Sequence, residues 1–419
     1  MARVAIDCDR TLAPDDRRWQ GREVGDSMAD EETLHTQFTV PTAVTFGDGC
    51  SALAGERARE LGGTRALVVT DKGVRGAGLV EGVLDALDAA GLSTLVFDAV
   101  EPNPRDTTVV AARDLAAAEG CDVLVAVGGG SAIDAAKTVG LLLTSRGEIA
   151  DYDFTLDEPR PIECPITPLV AVPTTAGTGS EVTFWAVITD TERRDKLGLG
   201  GPLMAPQVAL VDPALTLTLP PRLTAFTGLD ALTHAVEAST TPAAGPLSDL
   251  FALRAIRLVA TSLRRAVDDG KDRAARRDMS LASLLAGVAF TNADVGAVHC
   301  IAEVVGGLYD LPHGLICAMY LPTLTEYSLA AAPERYAAVA AALGADTGGL
   351  PAERAATAAV VALRGLVRSL GMPRPSQAGV LAADHAAIAA RCAATISGYA
   401  VPKPLNEADL MTVLREADR

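Results

Sequence analysis

The sequence has few aromatic residues for its length. They make up 4% of the 419 residues, whereas apolar residues make up 49%. The hydrophobic core must therefore consist mainly of Ala, Val and Leu, which favours helices and buried parallel strands over an aromatic-rich β-sandwich. A chain of this length also exceeds one comfortable core, so two or three domains are expected.

Several other features are missing. The net charge of −17 repels phosphate backbones, which argues against a nucleic-acid-binding protein. The charged N-terminus, MARVAIDCDR, contains no apolar segment for a signal peptide, and no apolar run reaches the length of a membrane-spanning helix. The seven cysteines include no CxxC pair, which is typical of a reducing compartment. We expect a cytoplasmic protein that contacts neither nucleic acid nor a membrane.

The pattern along the chain predicts three parts. Residues 1–36 are polar and charged and are expected to be a flexible extension, in which Met28 is a second candidate start. Residues 37–214 alternate short β-branched runs with Ala-rich helical stretches, which predicts a parallel sheet flanked by helices. Residues 215–419 contain long amphipathic Ala/Leu-rich stretches, which predict an all-helical domain.

A glycine-rich turn follows one predicted strand, 123–127. Gly128, Gly129 and Gly130 allow a close approach of the backbone, and Ser131 is expected to cap the helix that begins there. The free N–H groups and the dipole of a helix N-terminus favour a phosphate or pyrophosphate. The pattern is neither GxGxxG nor a P-loop, so a tight turn without a ligand is the alternative.

A second candidate loop is PTTAGTGSE, residues 173–181. Thr174, Thr175 and Thr178 offer hydroxyl groups to a phosphate or ribose, although such turns are also common without a ligand. Ligands of open α/β sheets bind at the carboxyl ends of the strands, where both loops are predicted to lie.

Asp71 follows the predicted strand 66–70. A carboxylate in this position accepts hydrogen bonds from an adenosine ribose and repels a 2′-phosphate, which favours NAD(H) over NADP(H). The alternative is an ordinary turn residue.

Three of the five histidines fall where one metal ion could use them. Asp230 and His234 are four residues apart in a helical stretch, so their side chains leave one face a turn apart. His299 and His313 lie in the run VHCIAEVVGGLYDLPHG. A carboxylate with three imidazoles suits a divalent transition metal. Hydrogen-bonded core histidines are the alternative.

Together these segments resemble the iron-dependent alcohol dehydrogenase family. The resemblance rests on GGGSAIDAAK, PTTAGTGSE, TGLDALTHAVEA and HCIAEVVGGLYDLPHG, in that order, and covers about residues 37–419. It implies a dehydroquinate synthase-like architecture, with a Rossmann-like dinucleotide-binding α/β domain, an all-α C-terminal domain and a metal in the cleft between them. It also implies a homodimer or a larger homo-oligomer.

The resemblance assigns roles to the residues named above. It implies Fe(II), with Zn possible, on Asp230, His234, His299 and His313; NAD pyrophosphate on Gly129, Gly130 and Ser131; the phosphate and nicotinamide side along Thr174, Thr175 and Thr178; the ribose on Asp71; and, by a looser alignment, the nicotinamide near Lys196.

One position departs from the family pattern. Many members carry a second histidine four residues after the first one of the HxxxH…PHG segment, and Glu303 occupies that position here. Two roles are open. Glu303 changes proton relay or substrate choice, or its carboxylate orients His299.

The implied function is metal-dependent interconversion of a small primary alcohol and its aldehyde by hydride transfer with NAD(H), the metal polarising the substrate oxygen. Glu303 and Lys196 are the candidate catalytic residues. Three alternatives are kept: reduction of an anionic aldehyde, such as phosphonoacetaldehyde or a short-acid semialdehyde; a degenerate member that binds NAD or metal without turnover; and a fold relative such as glycerol-1-phosphate dehydrogenase or dehydroquinate synthase, which lack the DALTHAVEA and DLPHG phrasing.

Overall fold

The structure is a computed structural model that describes residues 37–193 and 195–419. The predicted extension 1–36 lies outside the described residues.

The first part of the described chain is built on a six-stranded parallel sheet. Its strands are β1 (Ala43–Phe46), β2 (Arg65–Val69), β3 (Ser93–Phe97), β4 (Val123–Gly128), β5 (Leu169–Pro173) and β8 (Val208–Val211). The spatial order is β1-β8-β5-β4-β2-β3. A separate antiparallel hairpin, β6 (Trp185–Asp190) and β7 (Asp195–Gly200), precedes β8.

Helices cover both faces of this sheet. They are α1 (Ala54–Glu60), α2 (Lys72–Gly76), α3 (Glu81–Ala89), α4 (Asp106–Glu119) and α5 (Gly130–Thr144). Alternate residues of β4 pack on opposite faces, with Val125 in the cluster that contains α1 and α3 and Leu124 in the one that contains α4 and α5. Burial on both faces explains why β4 and β5 are continuous apolar runs rather than alternating ones.

The second part of the chain is helical. It consists of α6 (Pro221–Thr240), α7 (Pro246–Asp268), α8 (Arg273–Ala293), α9 (Ala297–Tyr309), α10 (His313–Ser328), α11 (Pro333–Ala342), α12 (Ala352–Ser369), α13 (His385–Thr395) and α14 (Glu407–Glu416). α6 is its central helix, since it packs against α7, α8 and α10 and is buried along most of its length. The predicted architecture, a parallel α/β sheet followed by helices, is confirmed.

The order of the strands marks one edge of the sheet as a binding crevice. From β2 the chain moves outward to β3 and then returns to the other side of β2 with β4, so the direction of winding reverses between β2 and β4. Val69 of β2 is level with Ala126 of β4, and Val127 of β4 is level with Val172 of β5, so the three strands end together. Ligands of such sheets bind at this switch point.

No single helix in the described residues is long and apolar enough to cross a membrane; α8 and α9 pass the length and composition test only as a pair bent by 105°.

Candidate functional site

The glycine turn after β4 lies at the switch point. α5 begins at Gly130 with Gly129 as its N-cap, and no side chain caps it. The predicted capping role of Ser131 is therefore wrong, because Ser131 lies inside the first turn of the helix. A Cβ atom on Gly130 would lie 2.6 Å from Cγ2 of Thr178, so glycine is required by the close approach of the two loops. The uncapped helix start is suited to an anion.

The loop after β5 connects this edge to the helical part. Thr174 is buried, and its N–H donates to the carbonyl of Gly128 at 2.9 Å. A Cβ atom on Gly177 would lie 2.7 Å from Cβ of Thr227 in α6, so the loop backbone rests directly on that helix. The structure thus brings Thr174, Thr175 and Thr178 beside the glycine turn and close to the predicted metal-binding helix.

Asp71 follows β2 at the same edge. One carboxylate oxygen caps α2 by accepting a hydrogen bond from the N–H of Val74 at 2.9 Å. The other oxygen, Oδ2, faces the glycine turn and lies 3.7 Å from where a Cβ atom on Gly128 would be. Asp71 is therefore a turn residue that caps α2, and its second carboxylate oxygen faces the crevice.

The predicted metal ligands converge between α6, α9 and α10. Oδ1 of Asp230 lies 3.6 Å from Nε2 of His313, and Oδ2 lies 4.0 Å from Nδ1 of His234. The ring of His299 is close to the other two imidazoles, with its centroid 4.4 Å from that of His234 and 5.4 Å from that of His313. Spacing along α6 places Asp230 and His234 on one face, and the turn before α10 brings His313 to them.

Three buried polar atoms of this cluster are unpaired within the described residues. Oδ1 of Asp230, Nδ1 of His234 and Nε2 of His299 are buried, and none has a hydrogen-bond partner among the described residues. A buried donor or acceptor without a partner costs about 1–3 kcal/mol. Unpaired buried oxygen and nitrogen atoms are the ligand atoms that a divalent cation requires, so these residues fit a metal ion.

The electrostatics of the cluster also suit a cation. Burial lowers the pKa of His234 well below its usual value, and His299 and His313 lower it further. Burial likewise lowers the pKa of His313. Both imidazoles are therefore neutral near pH 7, with lone pairs available to a metal. Burial raises the pKa of Asp230 to about 6.

Cys317 belongs to this cluster although the sequence analysis missed it. Asp230, His299, His313 and Cys317 each place one donor atom within 4.8 Å of the others, whereas His234 stands outside this tightest group. His234 stacks on Phe290, with centroids 4.4 Å apart. The signal was present in the sequence, because Cys317 follows His313 by four residues and shares its helix face.

Glu303 is half-buried on α9, near enough to His299 and Lys196 for charge interactions. Its carboxylate accepts a hydrogen bond from the hydroxyl of Tyr399. Burial raises the pKa of Glu303, while Tyr399, His299 and Lys196 oppose this shift. The carboxylate that bonds to His299 belongs to Glu237, at 2.5 Å from Nδ1. The described residues therefore pair His299 with Glu237 and not with Glu303.

Lys196 lies on the wall of a cavity of about 470 Å³ between the sheet part and the end of α9. Its Nζ donates to Oδ1 of Asn103 at 3.0 Å and to Oγ1 of Thr189 at 2.8 Å. Asn103 in turn donates to Oδ1 of Asp310 at 2.8 Å. Asn103 and Asp310 have positive φ angles of 58° and 51°, which the sequence did not reveal. Gly307 also lines the cavity, so the face of α9 that carries His299 and Glu303 continues into it.

Comparison with known proteins agrees with this architecture. Residues 41–213 match the family model of iron-containing alcohol dehydrogenase, and residues 224–417 match the C-terminal model of the same family. The chain belongs to the iron-containing alcohol dehydrogenase family. Membership in this family makes it an oxidoreductase of alcohols and aldehydes.

Several dehydrogenases are similar to this chain over most of their length. Choline dehydrogenase of Bacillus subtilis is 42% identical over 349 residues, which are 83% of this chain and 86% of that protein. NAD-dependent methanol dehydrogenase of Bacillus methanolicus is 38% identical over 383 residues, 91% of this chain and 100% of that protein. A crystal structure of 1,3-propanediol oxidoreductase has a TM-score of 0.87 at 41% identity and covers 92% of this chain and 100% of that one.

Proposed function

We propose that this protein interconverts a small primary alcohol and its aldehyde with NAD(H), using a divalent metal held by Asp230, His234, His299 and His313. Fe(II) is the metal that the family favours, and Zn is the second candidate. In the oxidative direction the alcohol loses a hydride to NAD⁺ and a proton, and the products are aldehyde, NADH and H⁺.

The unpaired atoms of the metal cluster carry this proposal. Oδ1 of Asp230 and Nε2 of His299 are buried without partners in the part of the chain that the structure describes. The loop that reaches from β5 to α6 places this cluster next to the crevice at the switch point. Metal donors and a dinucleotide crevice in contact are the arrangement that metal-assisted hydride transfer requires.

The chain's own residues divide the work. The start of α5 and the threonine loop hold the pyrophosphate, Asp71 accepts hydrogen bonds from the ribose, and Lys196 closes the nicotinamide end of the crevice. A divalent cation in the cluster would supply Lewis-acid polarisation of the substrate oxygen. Glu303, bonded to Tyr399, takes the proton that an alcohol gives up, or contacts the substrate chain.

The choice of a small primary alcohol rests on the relatives. Methanol, 1,3-propanediol and choline, the compounds in the names of the three similar proteins, are all primary alcohols. An anionic aldehyde has less support, because Asp190 and Asp310 line the cavity beside Lys196. Arg193, in the turn before β7, is exposed and lies 3.6 Å from Asp190.

The test begins with metal-free protein prepared with a chelator. Adding Fe(II) or Zn(II) is expected to restore oxidation of NADH by short aldehydes, and NADPH is expected to be the poorer donor. Full activity without metal would contradict the proposal, as would inactivity toward every short aldehyde and alcohol.

Two variants test whether His234 or Cys317 is the fourth metal ligand. Loss of metal binding in His234→Ala, with Cys317→Ala unaffected, is expected. The reverse result would assign that place to Cys317. Replacing His385, a buried histidine outside the cluster, by Gln is the control for loss of an imidazole.

A further inference from the structure

Glu237 is a buried carboxylate to which the proposed function assigns no role. It lies in α6 three residues after His234, and only 6% of its surface is exposed. Its two oxygens have different partners. Oε2 lies 2.5 Å from Nδ1 of His299, and Oε1 accepts the N–H of Val298 at 2.7 Å. The carboxylate therefore spans from α6 to the first turn of α9.

The bond to Glu237 decides which nitrogen of His299 faces the cluster. A carboxylate only accepts hydrogen bonds, so the proton of the imidazole must lie on Nδ1. In the neutral ring Nε2 is then an acceptor, and it is buried without a partner in the described residues. A carboxylate that accepts a hydrogen bond from the ring nitrogen that does not bind the metal fixes the tautomer and the ring orientation of a ligand histidine.

We propose that Glu237 is the positioning residue of the metal centre, holding His299 as the Nδ1–H tautomer with Nε2 free for the cation. This inference rests on the proposed metal site, and it concerns affinity for the metal rather than the choice of substrate.

The hydrogen-bond donors around Glu237 explain why an amide cannot replace this carboxylate. Two N–H groups, from Val298 and His299, point at two acceptor oxygens. Glutamine offers one oxygen and one NH₂ group. If the NH₂ faces Val298, two donors oppose each other. If it faces His299, the imidazole proton must move to Nε2, which removes the lone pair that a metal needs.

A merely structural role for Glu237 is the competing explanation. The N–H of Val298 belongs to the first turn of α9, where backbone N–H groups have no acceptor within the helix. Gly296, the N-cap residue, provides no side-chain cap. Glu237 also caps this helix from outside. A cap supports folding, whereas a positioning residue supports metal binding in the folded protein, so the two roles separate when both quantities are measured.

The experiment compares Glu237→Gln with wild type in metal-free form. Zn(II) affinity is measured by competition with a chromophoric chelator, and the unfolding temperature is measured without metal. We expect Glu237→Gln to bind Zn(II) about 10- to 100-fold more weakly, the range found for such outer partners of metal ligands. The unfolding temperature of the metal-free variant should stay within a few degrees of wild type.

Asp294→Asn is the matched control. Asp294 is close enough to His299 and Glu237 to affect their charge interactions, but its carboxylate bonds to the N–H of Val295 instead. Its positive φ of 65° is one that asparagine tolerates. We expect near-wild-type affinity. Equal weakening in Asp294→Asn and Glu237→Gln would show that only the local negative charge matters and would overturn the proposal.

A second variant guards against misfolding. A Cβ atom on Gly296 would lie 2.8 Å from Oε1 of Glu237, so Gly296→Ala is expected to displace the carboxylate and weaken Zn(II) binding by a smaller factor. Wild-type affinity in both Glu237→Gln and Gly296→Ala overturns the inference alone. Failure of the wild-type protein itself to bind Zn(II) or Fe(II) overturns the proposed function instead.

Discussion

The two halves of the candidate site are built in opposite ways. At the switch-point edge of the sheet, side chains are absent where Gly129 and Gly130 meet the threonine loop, and the backbone itself forms the surface. At the metal cluster, side chains are crowded, and buried atoms of Asp230 and His299 have no partner within residues 37–193 and 195–419. The first half depends on room beside the backbone, and the second depends on side-chain atoms that could ligate a metal.

This difference shows how each half should respond to substitution. A site that binds an anion through N–H groups at a helix start has no room for added side-chain atoms, but its affinity depends little on any one side chain. A cation held by side chains depends on each donor and on the groups that orient the donors. Substitutions at the edge should therefore act through the fit of the cofactor, and those near the cluster through the chemical step.

Glu303→Gln tests the cluster half and carries the largest expected effect. A relay residue must be ionised to accept a proton, and general base catalysis contributes at least about 100-fold, so alcohol oxidation should fall by about that factor. Burial raises the pKa of Glu303 above its usual value of 4.5. The rate of alcohol oxidation by the wild type should therefore rise with pH as this carboxylate ionises, which gives the pH profile an ascending limb above pH 4.5. This limb should vanish in Glu303→Gln, as measured by the pH dependence of kcat.

Tyr399→Phe provides the control for this titration. The hydroxyl of Tyr399 lowers the pKa of Glu303, as do His299 and Lys196, whereas Asp153 raises it. Removing the hydroxyl should therefore move the limb to higher pH. If both variants keep the wild-type profile with activity within a few-fold, Glu303 does not relay protons.

Gly130→Ala tests the edge half. The new Cβ atom would lie 2.6 Å from Thr178, and overpacking of this kind costs about 1–3 kcal/mol, so KM for NADH should rise about fivefold or more. Steady-state kinetics at saturating aldehyde measure this, and kcat should change less than KM.

Two further variants sharpen this result. Adding Thr178→Ser removes the nearest methyl group and should restore part of the affinity. Gly82→Ala in α3, where a Cβ atom meets nothing within 4 Å, should leave KM unchanged. A rise in kcat/KM, or no change, in Gly130→Ala would mean that the glycine turn does not hold the cofactor.

The sheet was predictable because buried parallel strands are apolar runs. The runs around Val68, Val125 and Val170 are strands as expected. The hairpin of β6 and β7 was not singled out, because it mixes apolar residues with charges such as Asp190 and Lys196.

The site was predictable only as far as residue type and helical spacing reach. Asp230 and His234 were recognised because one turn separates two potential ligands. Glu237 and Cys317 lie on the same helices, three residues after His234 and four after His313, but their partners come from other helices. Tyr399 approaches Glu303 through tertiary packing across 96 positions, for which local spacing contains no signal.

Asp71→Ser carries the smallest expected effect. It tests whether the charge at the edge of the sheet, as well as its shape, determines the preference for NADH over NADPH. Serine keeps the N-cap of α2 but removes the carboxylate oxygen that faces the glycine turn. One partly exposed charge contributes up to about 1 kcal/mol, so the ratio of kcat/KM for NADPH to that for NADH should rise by up to about fivefold. Asp98→Ser is the control, since Asp98 follows β3 at the same edge but pairs with Arg75 at 2.5 Å. An equal rise in both variants would indicate a general effect of net charge, whereas a rise in Asp71→Ser alone would assign the cofactor preference to that one oxygen.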